Sequence, residues 1–220
     1  MRMKIYQIDW TKEENRDGFR AVDDLNKVDS RKYKKVLDAE VKVDRLLGAF
    51  HLFNSVDPHP LYSGTAMTAS DVVVVEDGSY IWDGKLGFQK IDFDESLVNT
   101  SDQIRVLFVQ PHEEPYVAEI PDTLQAKQRA VGGYIEYVYN ADETALICDE
   151  EAKIKCKEGN RYLDGDGIIA GNFLVVGVAG DENRSLSDEE VVKYMDKYSD
   201  PPEISQEETE ADVGFAIMSF

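Results

Sequence analysis

The chain is poor in the residues from which many sites are built. Its 220 residues include two cysteines, three histidines and two tryptophans. Cys148 and Cys156 are too few for a disulfide framework and suit a reducing compartment. They are not the close pair that zinc fingers use, and His51, His59 and His112 share no ligand spacing. No metal and no cofactor is therefore expected. There is no run of about 18 apolar residues, so no transmembrane helix is expected. Met1–Asp9 reaches an acid without a long apolar stretch, so the expectation is a cytoplasmic protein without a signal peptide. Neither Gly-x-x-x-x-Gly-Lys nor Gly-x-Gly-x-x-Gly after a strand occurs, so the usual phosphate loops are missing. No Gly-x-Ser-x-Gly elbow is present, and no serine has a histidine and an aspartate in a credible order.

Basic residues are also scarce. Lys and Arg number 24 against 44 Asp and Glu, for a net charge of −20. That shortage argues against a nucleic-acid backbone, which needs cations to displace its counterions. It argues equally against an anionic membrane surface. It suits a basic partner drawn in by long-range attraction. The deficit deepens along the chain, from −4 over residues 1–100 to −7 over 101–180 and −9 over 181–220. What is present is an ordinary folding composition, 42% apolar and 10% aromatic. It is too rich for a disordered chain, and the length admits one large domain or two small ones.

Hydrophobic patterning predicts two α+β halves with largely antiparallel sheets. Met3–Asp9 reads as a strand. Asp29-Ser30 suits the cap of a short helix over Arg31–Val36, because Tyr33, Val36 and Leu37 share a helical face. Val43–Phe53 carries an amphipathic stripe. Val72–Val75, the Asp77-Gly78 turn, Ser79–Trp82 and Gly87–Phe93 form a β-meander. Residues 98–103 read as a linker between a first domain, 1–97, and a second, 104–198. In the second, Ile104–Val109, Tyr116–Ile120, Tyr134–Tyr139 and Ala145–Cys148 are strands. Thr123 opens a helix over Leu124–Val131, which Gly132-Gly133 ends. Ile168–Val178 is a long apolar run. Ser185-Leu-Ser187 caps an acidic helix that Pro201-Pro202 stops. Residues 199–220 read as an acidic tail with an apolar end.

Few residues carry a chemical signal. Cys156 lies between Lys155 and Lys157, whose charges favour a thiolate. Asp164-Gly-Asp166-Gly167 starts like a calcium loop but lacks the later carboxylates and closing Glu, so it reads as a turn. Adjacent acids such as Glu13-Glu14, Asp23-Asp24, Glu113-Glu114 and Glu150-Glu151 are expected by chance among 44. Asn160-Arg161 stands between turn residues and an apolar run. Its arginine reads either as an anchor for an anionic group or as a loop residue paired with a nearby acid.

Ser70-Asp-Val-Val-Val-Val75, Tyr80-Ile-Trp-Asp83 and Gly87-Phe-Gln-Lys-Ile91 resemble the YodL-like domain. So do Ile5-Tyr-Gln-Ile-Asp9, Tyr33-Lys-Lys-Val36 and Glu40-Val41, and the resemblance covers about residues 3–93. Here Asp83–Phe88 carries extra residues relative to the usual aspartate, small residue and Gly-Phe. Residues 104 to about 198 resemble a second family of unassigned function. That pattern lies in Ile104-Arg-Val-Leu107, Leu124, Val131-Gly-Gly-Tyr-Ile-Glu136, Asn160-Arg161, Ile168-Ile-Ala-Gly171, Phe173 and Ser185-Leu-Ser187. The resemblance implies a setting in conjugative elements and phages, beside antirestriction modules, and no catalytic residue.

Charge and setting together predict a non-enzymatic inhibitor of a host defence nuclease, either anti-CRISPR or antirestriction. Its carboxylates would stand in for phosphates on a basic DNA-binding surface. The candidate contacts are Asp188, Glu189, Glu190, Glu207, Glu208, Glu210 and Asp212. The alternative expectation is a small-molecule or signalling-nucleotide binding module using Tyr134, Asn160 and Arg161. An enzyme built on Cys156 is a third.

Overall fold

A computed structural model describes residues 1–15, 28–100, 102–164 and 167–217. The chain divides into two compact units, Met1–Gln103 and Ile104–Phe220. Both are mixed α+β and built on antiparallel sheets.

The first unit comprises β1 (Arg2–Ile8), β2 (Tyr33–Glu40), α1 (Leu46–Phe53), β3 (Val72–Val75), β4 (Gly78–Trp82) and β5 (Phe88–Ile91). Its sheet runs β2-β1-β3-β4-β5. The predicted helix over Arg31–Val36 is corrected here. Asp29 caps only a 3-10 turn, Ser30–Lys32, after which the chain enters β2. The misreading has a physical source. The β1–β2 register shifts between Ile5 and Tyr6, leaving Val36 as an extra residue between Leu37, opposite Ile5, and Lys35, opposite Tyr6. A bulge of this kind breaks the period of two. Apolar residues at 33, 36 and 37 then imitate helical spacing. The hairpin also sits one position earlier than Asp77-Gly78 implies. Glu76 and Asp77 form the loop, and Gly78, at φ +142°, already pairs with Val75. Val98, at the start of the predicted linker, is buried with Tyr6, Tyr33, Val72, Ile81 and Phe93. The Asp23-Asp24 pair lies outside the described residues.

A buried polar network crosses this unit. The Gln7 amide donates to Asp71 Oδ2 at 2.8 Å, the Thr65 carbonyl at 3.0 Å and the Tyr62 hydroxyl at 3.2 Å. Its carbonyl accepts from the Thr65 backbone N–H. Asp71 also accepts from the Thr68 N–H at 2.8 Å. Burial lifts the Asp71 carboxyl to about 6, against the pull of those two donors.

The second unit contains β6 (Gln103–Val109), β7 (Tyr116–Pro121), α2 (Leu124–Val131), β8 (Ile135–Tyr139), β9 (Thr144–Asp149) and β10 (Gly159–Tyr162). There follow β11 (Ile168–Ala170), β12 (Phe173–Ala179), β13 (Glu182–Arg184), α3 (Asp188–Tyr198) and α4 (Gln206–Ile217). The main sheet runs β7-β6-β12-β9-β8, with β13 on β12, while β10 and β11 form a separate hairpin. Alternate residues Leu107, Leu146, Phe173 and Val175 pack with Val191, Tyr194 and Tyr198 of α3. Their neighbours Phe108, Ile147, Leu174 and Val176, also buried, point to the opposite face, as a strand's period of two requires. Among the described residues no helix is long and apolar enough to cross a membrane.

Local signals explain most helix ends. The Thr123 side chain caps α2. Ser187 and Glu190 form a reciprocal capping box on α3. Gly132 takes φ +74° at the end of α2, a conformation that costs glycine nothing. Two further segments gain definition in the structure. The apolar run from Ile168 is two strands, because Gly171 at φ +68° turns the chain between β11 and β12. The acidic tail contains α4. Ser205 and Glu208 exchange hydrogen bonds at its start, and Ile204 and Thr209 are buried.

Asp71 contributes to the first unit an acid response of inverted sign. The unfolded carboxyl loses its proton near 3.8, the folded one near 6. Between those values the folded state holds the extra proton on Asp71, so the contribution of this group to stability falls as pH rises. Urea unfolding of the wild type and Asp71→Asn should show the variant gaining on the wild type across that window. The gain should reach about 3 kcal/mol by neutral pH, because each tenfold difference in proton affinity between the two states is worth about 1.4 kcal/mol. A difference that does not change with pH would refute this.

Candidate functional site

A concavity with a volume of about 810 Å³ lies in the second unit. Its floor is apolar: Val138 from β8, Cys148 from β9, Leu163, and Ile168, Ile169 and Ala170 from β11. Ala152 and Ile154 form one wall. Glu136, Glu150 and Glu210 also line it and are exposed to solvent. The contributing residues are far apart in sequence, and strand pairing brings them together. Only the alternation in β8, Glu136 then Val138 two residues on, hints at the site in advance.

Charged groups at the rim are mostly held by the protein itself. Asp149 has a fully buried carboxylate that binds Lys157 at 2.6 Å and Lys155 at 3.1 Å. It also accepts from the Glu151 N–H. Burial acts to raise its pKa, but the two ammonium groups and the N–H bring it below the usual range. Lys157 further donates to the Val131 and Gly132 carbonyls at the end of α2. Gly133 is required beside this cluster, since an added Cβ would lie 2.2 Å from Asp149 Oδ1. Lys153 pairs with Asp212, which also accepts the Ile168 N–H at 2.9 Å. The structure thus places Asp212 as an anchor between α4 and β11.

Asn160 and Arg161 occupy β10, not a loop, and both are buried. The Arg161 guanidinium makes five hydrogen bonds, all to neutral oxygens. Two go to the Tyr198 carbonyl at the end of α3, one to the Glu113 carbonyl, and two to the carbonyl and side-chain oxygen of Asn160. The Asn160 amide donates to Val109 at 3.2 Å and to Gly171 at 2.6 Å. No N–H in this set is left over for a ligand. Tyr134, by contrast, is exposed in a shallow recess with Arg129, Gly133 and Lys155. The structure therefore does not bring Tyr134, Asn160 and Arg161 into one pocket.

The acids of α3 and α4 divide by role. Glu190 binds Arg184 at 2.6 and 2.8 Å and accepts the Ser187 N–H. The guanidinium, with Ser187 and against burial, holds its carboxyl at about 2. Asp188 meets Arg105 at 2.5 Å, and Glu208 caps α4 through Ser205. Glu210 accepts from Gln206 within α4. Glu189 and Glu207 are exposed on the solvent faces of their helices. Asp164, in the calcium-like segment, pairs with Lys197 at 2.7 Å. Asp166 lies outside the described residues.

Cys156 is exposed, at φ +53°, and Cys148 is buried. Lys155 and Lys157 reach Asp149, so the two charges read as thiol activators have another partner. Burial lifts the Cys148 thiol to about 11. Iodoacetamide near pH 8 should therefore modify Cys156 at least about tenfold faster than Cys148, since the thiolate reacts. Peptide mass spectrometry reads the order, and equal rates would contradict the burial of Cys148. Separately, Arg161→Lys should lower the unfolding free energy by about 3 kcal/mol, because one ammonium cannot serve the Tyr198, Glu113 and Asn160 oxygens together. Urea unfolding tests it, and a change below about 1 kcal/mol would mean these bonds are dispensable.

No curated protein and no solved structure matches the chain. Two families do match, each over one unit: residues 2–93 match the YodL-like domain and residues 104–199 match a domain of unknown function, DUF3846. The chain thus carries a YodL-like domain followed by a DUF3846 domain.

Proposed function

We propose that the chain is a non-catalytic binding protein that inhibits a host defence nuclease by occupying its basic, DNA-binding surface. One observation carries the reading. All three bases of residues 181–220 are paired with acids: Arg184 with Glu190, Lys193 with Asp142 and Lys197 with Asp164. Apart from Asp188 and Asp212, which meet Arg105 and Lys153, the remaining acids of α3 and α4 therefore keep an uncompensated field, to which Glu189 and Glu207 contribute at exposed positions. Such a field speeds encounter with a basic groove and weakens with salt. The acids that bind the partner are those not spent on capping or pairing, which favours Glu189 and Glu207 over Glu190, Glu208 and Asp212.

Gel filtration of the purified protein with Cas9-type and restriction nucleases tests the proposal. The expected result is a complex that excludes DNA and dissociates as salt rises. Glu189→Lys with Glu207→Lys should weaken it about tenfold or more, while Glu190→Gln should act mainly on stability. Absence of a complex with every nuclease tried, at low salt, would overturn this reading.

A further inference from the structure

We propose that the cavity of the second unit binds a small organic cation, with its apolar body on the floor and its charged nitrogen at the rim. The inference is independent of the surface acids discussed above, apart from Glu210. Its volume, about 810 Å³, falls within the usual range for small-molecule sites, roughly 300–1,000 Å³. Val138, Leu163, Ile168 and Ile169 offer apolar contact and no hydrogen bond.

The polar groups around that floor are already satisfied. Asp149 is held by Lys155 and Lys157, Lys153 by Asp212, and the Cys148 thiol faces the Glu136 carbonyl oxygen at 3.9 Å. A ligand that is polar along its length would lose its water and gain no partner there. Glu136, Glu150 and Glu210 are different, because each is exposed and presents a carboxylate at the edge of an apolar space, that of Glu210 with one oxygen also accepting from Gln206. The one cation that lines the cavity, among the described residues, is Lys153, and Asp212 neutralises it. Phosphates and carboxylates are therefore disfavoured, which turns the site away from nucleotides and fatty acids. An amine or quaternary ammonium attached to an alkyl or aryl body satisfies both regions.

The test uses the full chain and a neutral fluorescent reporter, N-phenyl-1-naphthylamine. Decylamine, decanol and decanoate then compete for it below their micelle concentrations. The dye should brighten on binding, and decylamine should displace it at about tenfold lower concentration than decanoate, with decanol between. Glu136→Gln, Glu150→Gln and Glu210→Gln together should erase that preference while leaving decanol unchanged. These positions are exposed, so the variant should remain folded. Val138→Trp should abolish dye binding, with circular dichroism as the check on its fold.

Three results would overturn the proposal: no dye uptake, equal displacement by decylamine and decanoate, or a preference that survives the triple substitution. A fourth concerns the chain's own apolar residues 213–220. Dye uptake only after Phe215→Asp with Ile217→Asp would assign the cavity to that segment and not to an external cation.

Discussion

Burying the Arg161 guanidinium removes a charge from water, and the loss is tolerable only if its N–H groups meet oxygens in the protein. No carboxylate supplies them. The carbonyl at the end of α3 takes two bonds, where the helix dipole adds negative potential. The loop between β6 and β7 provides another through Glu113. Asn160 completes the set and ties β10 to Val109 and Gly171. A single side chain therefore fixes where α3 ends, how the β10–β11 hairpin meets the sheet, and where Tyr198 stands against Phe173, 5.2 Å away and edge-on. The hairpin in turn supplies the floor of the cavity.

Much of the fold was legible because its signals are local. Thr123, Ser187 and Gly132 each mark a helix boundary through bonds or backbone angles within a few residues. The β-strands of both sheets follow from runs such as Val72–Val75 and Ile104–Val109. Failures came where a distant partner decides. Val36 is a bulge only because β1 lies beside it. In the acidic segment Gln206–Asp212, whose order the sequence leaves open, Asp212 binds Lys153 and the Ile168 N–H far away in the chain.

The candidate site shows the same division more sharply. A polar pair beside an apolar run looked like a ligand anchor or a surface ion pair, and Arg161 is neither, since its partners are main-chain carbonyls and Asn160. Carbonyl partners leave no trace in residue identity. Lys155 and Lys157 flank Cys156 in sequence, but their ammonium groups reach Asp149. Beyond the hint in β8, nothing marked the cavity, because its members come from β8, β9, β11 and α4. Abundant acids also hid the difference between carboxylates that hold the structure, such as Glu190, and those that face water, such as Glu189.

The pairing of every base in residues 181–220 has a chemical corollary. A lysine such as Lys193 screens its own partner, Asp142, which also receives hydrogen bonds from Thr144 and Tyr194. Acylating that amine would delete one positive charge and at the same moment unmask a negative one in a neighbouring loop. The same holds for Lys197 and Asp164. Acylation at either lysine would thus deepen the local negative potential while slackening the contacts that seat α3, coupling the protein's outward charge to the tightness of its own packing.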